Sequence, residues 1–288
     1  TPAGKIVKAG GHVVKNVAGY DFCRLLTGSY GALGVIAEIS FKLFPLPGGR
    51  SSWRAAIPNL KAAREFRRRI LDSPLGPMRM VLMDGVASAL ASQAPVMQRS
   101  ERKPEAGAEM WLEFGGSEEV INRCARSLAE LAKSVEISFQ PLGAEAAEVG
   151  WDRISDLDAV LRDGGITPIA LKATLPVASS EEFLKFLHSV AKELGVSIAS
   201  ICQNGVGIVQ SFLMPDKLSS HLADSILKAR EMAVQHGGAL VVERCPVEMK
   251  RDLDVWGPPG NGFPLMKKLK EVWDPAGTLS PGRFVGGI

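Results

Sequence analysis

Residues 168–215 read PIALKATLPVASSEEFLKFLHSVAKELGVSIASICQNGVGIVQSFLMP. PIALKATLP reads as a short strand leading into a helix. Phe183, Leu187, Val190 and Leu194 then fall at helical spacing and predict a helix over 181–194. Ser179 stands three residues before Glu182, the spacing of a capping box, in which a hydroxyl accepts an orphan backbone N–H. Beyond it, VSIASICQNGVGIVQSFL sets Asn204-Gly205 between two β-rich arms; such a pair tolerates positive φ at both turn positions and marks a hairpin. Strand, helix and hairpin in this order point to an α+β chain built on a split βαβ sheet with helices on one face.

The same unit recurs to either side. WRAAIPNL leads to a helix near 60–71 with Ala63, Phe66 and Ile70 on one face. MWLEFGGS leads to a helix near 118–133 with Ile121, Cys124, Leu128 and Leu131 in line, its start marked by Ser117 before Glu118 and Glu119. IVQSFLMP leads to a helix near 217–235 with Leu218, Leu222, Ile226 and Ala233. The repetition is of structure, with no repeat at the level of residue identity. QRSERKPEAGAE (98–109) reads as a charged loop. Upstream, GVIAEISFKLFPLP (34–47) alternates around Ile36, Ile39, Phe41 and Leu43, a strand pattern stopped by Pro45 and Pro47. PLPGGRSS (45–52) has turn composition and divides the chain. Three parts follow: 1–47, a domain of strand–helix units over 48–260, and a C-terminal helix and tail over 261–288.

Composition narrows the class. The 288 residues are 46% hydrophobic and 23% charged, enough to bury a core and too apolar for general disorder. No apolar run reaches the roughly 18–20 residues of a membrane span. Thirty-four basic against 31 acidic residues leave +3, too balanced to imply nucleic acid or an anionic membrane. The cations Lys61, Arg64, Arg67, Arg68 and Arg69 crowd one helix without interleaved aromatics and read as a solvated face. Cys23, Cys124, Cys202 and Cys245 lie far apart without a CxxC, and the four histidines are scattered; no zinc or iron–sulfur motif is present, and free thiols suit a reducing cytosol. The chain opens at Thr1 directly in motif-like sequence and reads as the downstream part of a longer protein.

The densest motif-like stretch is GGHVVKNVAGYDFCRLLTGSYGALGVIAEI, residues 10–39. Gly28, Gly31 and Gly34 recur every third residue beside Ser29. Glycine there permits positive φ and brings bare backbone against a ligand, so that successive N–H groups converge on an acceptor. It is neither a P-loop nor a GxGxxG turn. Glycines ahead of a strand equally make plain turns. Asn16, Gly19, Tyr20 and Asp21 add polar groups just upstream, which also suit Asx-type turns with Tyr20 packed.

KNVAGYD followed by GSYGALGVIAEISFKLFPLP resembles the flavin-binding domain of FAD-linked oxidases of the vanillyl-alcohol oxidase (PCMH) type, and within it the smaller FAD-binding component of bacterial glycolate oxidases. LKEVWDPAGTLSPGRF (269–284) resembles the same family's ending, in which a helix runs into DPxGxLNPGR. The resemblance implies that 1–47 is the C-terminal part of a PCMH-type FAD-binding domain, that 48–260 is a split βαβ (ferredoxin-like) FAD-linked oxidase C-terminal domain acting as cap, and that 261–288 returns to the flavin. It nominates Gly28, Ser29, Gly31, Ala32, Gly34, Val35 and Ile36 as backbone alongside FAD, Asn16, Gly19, Tyr20 and Asp21 as wall or loop-fixing residues, and Arg283 as a cation for flavin or phosphate charge. Ser280 stands where the family has Asn, and Ala37 where it commonly has Thr. The family's N-terminal flavin subdomain is absent from these residues, so this chain alone is expected to bind FAD weakly or not at all.

The implied activity is hydride transfer from a small 2-hydroxy acid such as glycolate or D-lactate to FAD, with electrons leaving through other flavin and iron–sulfur subunits of a glycolate oxidase-like complex. The implied setting is cytoplasmic, peripheral to the inner membrane through those partners. A non-catalytic assembly component is the competing reading. His12, His188, His221 and His236 form no acid–base pair by sequence, and Glu243-Arg244 reads as a strand end; no catalytic residue is nominated.

Overall fold

The computed structural model describes residues 1–11, 20–93 and 107–288, with the side chain of Ser220 also outside the description. Two compact units emerge: Leu46–Val255, and Thr1–Pro45 together with Trp256–Ile288. A short helix, α1 (Phe22–Leu26), belongs to the smaller one. The larger begins β1 (Gly49–Ala56), α2 (Leu60–Leu71), β2 (Arg79–Met83), α3 (Gly85–Ala91), β3 (Glu109–Gly116), α4 (Glu118–Ser134) and β4 (Phe139–Leu142). It continues through α5 (Ala144–Ser155), α6 (Leu157–Asp163), β5 (Ile169–Thr174), α7 (Ser180–Glu193), β6 (Ser197–Gln203), β7 (Ile208–Met214), α8 (Ser220–Gln235) and β8 (Ala239–Arg244). The final helix, α9 (Phe263–Trp273), lies in the smaller unit.

Among the described residues, eight strands form one antiparallel sheet in the order β4-β1-β3-β2-β6-β7-β5-β8. Its halves are the same split βαβ motif twice, mirrored in strand order and joined where β2 meets β6. The join is short: Leu82 pairs with Cys202 and Met83 with Ile201, extended by Asp84 N–H to Ser200 O and Asn204 N–H to Met80 O, both 3.2 Å.

Period-two alternation splits the strands between two cores. Met80, Leu82, Met110, Leu112, Ile198 and Leu213 face one cluster with Phe66, Ile70, Leu128, Phe183 and Leu222 of α2, α4, α7 and α8. Val81, Met83, Trp111, Ala199, Ile201 and Phe212 face another with Trp151, Ile154, Leu157 and Leu161 of α5 and α6. Helices therefore cover both faces, not one. The sequence reading missed α3, α5 and α6 because each is short or has small residues on its buried side.

Other expectations need correction. The segment 34–47 carries strand alternation, yet forms no strand: Val35, Phe41, Leu43, Phe44 and Leu46 are all at least three-quarters exposed, with no neighbouring strand to pair with among the described residues. The 197–214 hairpin exists, but its positive φ falls on Gly207 (74°) rather than on Asn204-Gly205, and Asn204 is wholly buried. Ser179 makes no capping bond, because a 3₁₀ turn over Val177–Ser179 leads into α7. Ser117 does accept from Val120 N–H (3.4 Å). Leu218 precedes α8 and is exposed.

The cationic face of α2 is mostly engaged. Arg67 is buried and donates twice to Glu181 of α7, at 2.7 and 3.1 Å, Arg64 donates to Ala178 O, and Arg68 and Arg69 pair with Glu65. The four cysteines are free; burial pushes the Cys202 thiol up to about 12. Among the described residues no helix is long and apolar enough to cross a membrane, and no group of three or more metal-ligating side chains gathers.

Removing one member of a buried ion pair strands the other charge. Glu181→Ala is therefore expected to cost about 3–5 kcal/mol in urea unfolding. The double variant Arg67→Met/Glu181→Leu should recover most of that loss.

Candidate functional site

In the smaller unit α1 is started by Asp21, which accepts from Arg24 N–H (3.0 Å) and pairs with the Arg24 guanidinium at 3.1 Å. Asp21 is thus a helix cap, the Asx-type role open in the sequence. Tyr20, by contrast, is 90% exposed and does not pack. Asn16 and Gly19 lie outside the described residues.

After α1 the chain turns sharply. Gly28 (φ 79°), Tyr30 (φ 51°) and Gly31 (φ 77°) are left-handed, closed by Ser29 N–H to Leu26 O (3.2 Å) and Ala32 N–H to Ser29 O (2.9 Å). Ser29 and Ala32 are buried, while Val35 and Ile36 are exposed. The amides of residues 33–40 find no acceptor among the described residues. The glycine loop thus ends in a run of accessible, unsatisfied backbone beside apolar side chains.

Against this loop sits the C-terminal segment. Lys270 of α9 is buried; its ammonium donates to Ala32 O (2.8 Å), Leu279 O (2.7 Å) and Asp274 Oδ2 (2.6 Å), which accounts for all three of its N–H groups. Asp274 in turn accepts from Thr278 N–H (3.0 Å) and Leu279 N–H (2.7 Å). These contacts, the Lys270 hydrogen bond foremost, hold the Asp274 carboxyl at about 2. Tyr30 packs edge-on against Trp256 (4.8 Å between centroids), Trp256 against Phe284 (5.4 Å), and Trp256 Nε1 donates to Arg283 O (3.1 Å). A Cβ on Gly31 would stand 3.1 Å from Ser280 Oγ.

The structure therefore brings Gly28–Gly34 and Ser280–Arg283 together. Arg283 is exposed and joins no ion pair among the described residues; its main chain makes the contact. Sequence reasoning missed Lys270, Asp274 and Trp256. Each sits in or beside the C-terminal motif, and Lys270–Asp274 has the i, i+4 spacing of a helical ion pair, but nothing local says that the lysine points inward.

A second concavity lies within the larger unit, about 150 Å³, lined by Asp158, Ala170, Gln210, Phe212, Glu243 and Arg244 among others. Arg244 pairs with Asp158, which also takes Arg162 at 3.0 Å; hydrogen bonds from both arginines, Arg244 first, hold the Asp158 carboxyl below its usual range. Glu243 pairs with Lys172 at 3.7 Å.

Comparison with known proteins agrees with this architecture. The profile described as FAD linked oxidases, C-terminal domain, matches residues 47–284. The chain belongs to that family. It is 26% identical over 289 residues to glycolate oxidase subunit GlcD of Bacillus subtilis, covering 98% of the chain and 60% of the relative. It is 25% identical to a D-lactate dehydrogenase of Archaeoglobus fulgidus, covering 98% and 62%. Glycolate oxidase subunit GlcE of Escherichia coli is 52% identical over 66 residues, 23% of the chain and 19% of the relative. Among solved structures, alkyldihydroxyacetonephosphate synthase superposes with a TM-score of 0.61 at 14% identity over 93% of the chain and 50% of its own, and p-cresol methylhydroxylase with 0.57 at 13% over 84% and 54%. These likenesses show the fold. The chain spans about 60% of the length of the first two curated relatives.

Because Asp274 binds a proton less readily folded than unfolded, its stabilising effect is complete above its ordinary 3.8 and is lost as pH falls through about 2. Backbone NMR shifts of Thr278 and Leu279 should titrate in that window, and in Asp274→Asn they should not. Ser280 is left-handed (φ 43°), where a non-glycine residue costs about 1–2 kcal/mol. Ser280→Gly should recover part of that and raise the calorimetric melting temperature of the smaller unit.

Proposed function

We propose that this chain is part of a flavin-dependent 2-hydroxy-acid oxidoreductase, the FAD-binding subunit of a glycolate oxidase-like complex resembling GlcE, which passes electrons to partner subunits. In this reading residues 1–47 finish a PCMH-type FAD-binding domain, 48–260 form the cap, and 261–288 return to the flavin. The observation that carries it is the clamp between the glycine loop and the C-terminal turn, which joins the two segments the family resemblance singled out. The loop suits one face of a flavin: two left-handed glycines, a run of amides without acceptors, and Tyr20, Val35 and Ile36 exposed beside them. FAD, when bound, supplies the hydride acceptor.

A 2-hydroxy acid needs a cation for its carboxylate and a base for its hydroxyl proton. The cavity of the larger unit offers both on adjacent positions of β8. Arg244 would take the carboxylate in exchange for part of its hold on Asp158, Glu243 would accept the proton, and Phe212 and Ala170 exclude water. The sequence left Glu243-Arg244 as a strand end; their position on this cavity supports these roles.

Titration of FAD into the 288-residue chain, followed by quenching of flavin fluorescence, should give weak binding, and tight stoichiometric binding would refute the need for a second wall. In the full-length enzyme Gly31→Val should abolish flavin content, since the left-handed backbone and the 3.1 Å approach to Ser280 leave no room for the side chain. Arg244→Met should raise KM for glycolate or D-lactate at least tenfold while leaving flavin content unchanged. Turnover and assembly that survive loss of flavin would favour the non-catalytic reading.

A further inference from the structure

Helix α9 is inverted relative to ordinary amphipathic packing. Leu265 and Val272 are each 74% exposed and Met266 44%, whereas Lys270 is 8% exposed. Burying an ammonium ion is unfavourable unless every donor is met. Here all are met, but only one acceptor is the neutralising carboxylate. The other two are backbone carbonyls, and one of these, Ala32 O, lies 238 residues away in the sequence. Charge balance alone needs Asp274 and not Ala32.

The geometry of Ala32 gives that third bond a consequence. A trans peptide is planar, with its C=O and the following N–H pointing to opposite sides. No cis peptide occurs among the described residues. With the Ala32 carbonyl fixed toward Lys270, the Leu33 N–H is directed to the opposite side, where it finds no acceptor among the described residues. A carbonyl accepting from a cation also polarises its peptide and strengthens the N–H as a donor.

We propose that Lys270 is the positioning residue of the glycine loop: by holding the Ala32 carbonyl it aims the Leu33 N–H at an acceptor atom of the bound flavin, a ring carbonyl or a phosphate oxygen. This rests on the flavin reading given above. Asp274 keeps the lysine charged and in place, and the Thr278–Leu279 turn keeps Asp274 in place.

The test uses the whole chain and four proteins: wild type, Lys270→Met, Lys270→Arg and Lys270→Met/Asp274→Asn. Residue-resolved hydrogen exchange without flavin reads the clamp, with the amides of the large sheet reporting that each variant is folded. In Lys270→Met the Ala32 amide should exchange at least tenfold faster, while Lys270→Arg retains most of its protection. The double variant removes the stranded carboxylate, so it should restore protection at Thr278 and Leu279 but not at Ala32. Restoration at Ala32 too would mean that Lys270 only neutralises Asp274, and would overturn the proposal, as would unchanged Ala32 exchange in Lys270→Met.

Fluorescence titration with FAD and with riboflavin then reads the aim of the Leu33 N–H. At least tenfold weaker binding of both ligands by Lys270→Met identifies a ring carbonyl. Weakening of FAD alone identifies a phosphate. Equal affinity of wild type and Lys270→Met would overturn the aiming, and absence of flavin binding by wild type would sink the flavin reading, with the exchange result standing separately.

Discussion

Two four-stranded ladders become one sheet at a short seam between β2 and β6, and the larger unit depends on that seam being held. Only two residue pairs make the ladder, Leu82–Cys202 and Met83–Ile201. So little backbone pairing would be a weak joint by itself. It is closed from one side by α2 against α7, with the Arg67–Glu181 ion pair buried between them, and by the buried His188 Nε2 to Asp84 Oδ2 contact at 3.2 Å. Each of these contacts joins a residue of the first half to one of the second. A buried ion pair adds little to stability compared with well-packed apolar residues, but it tolerates few alternative registers. A one-residue slip of β6 would also exchange Ile201 and Cys202 between the two cores.

The smaller unit has a different economy. Among its described residues the exposed apolar ones (Ile6, Tyr20, Val35, Phe41, Leu43, Phe44, Leu265, Val272) outnumber the buried ones, so hydrophobic burial is not what orders the loop. Order comes from directional contacts: a buried ammonium with three acceptors, a carboxylate with three donors, and an aromatic trio of Tyr30, Trp256 and Phe284. Such contacts fix backbone atoms closely while leaving one side of the loop open, which is what a backbone ligand site requires. His188 and Asp84 show the opposite case, a histidine and a carboxylate brought together by folding that serve the seam and not the chemistry.

Much of the larger unit was legible. The apolar spacing of α2, α4 and α7 placed those helices to within one or two residues, since a long helix with one buried face declares itself in period. What failed had local causes. Strand alternation over 34–47 was real, but a strand needs a neighbour and none is described. Ser179 had capping-box spacing, but the 3₁₀ turn before it took the entry. Asn204-Gly205 marked the hairpin, yet the left-handed residue is Gly207, because the loop is four residues long rather than two. In the site, Gly28, Gly31 and the Ser280–Arg283 turn were found by motif, whereas Lys270 looked like any surface lysine on an amphipathic helix.

The amino-acid sequence by itself determined the repeated strand–helix unit, the two motif-bearing ends and the glycines of the loop, because hydrophobic period and backbone chirality act within a few residues of each position. Only the tertiary structure decided that both faces of the sheet are covered, that the two halves meet at β2 and β6, and that Lys270 turns inward to Ala32. Those outcomes depend on acceptors and surfaces supplied by residues distant in the chain, and no local pattern encodes a partner more than two hundred residues away.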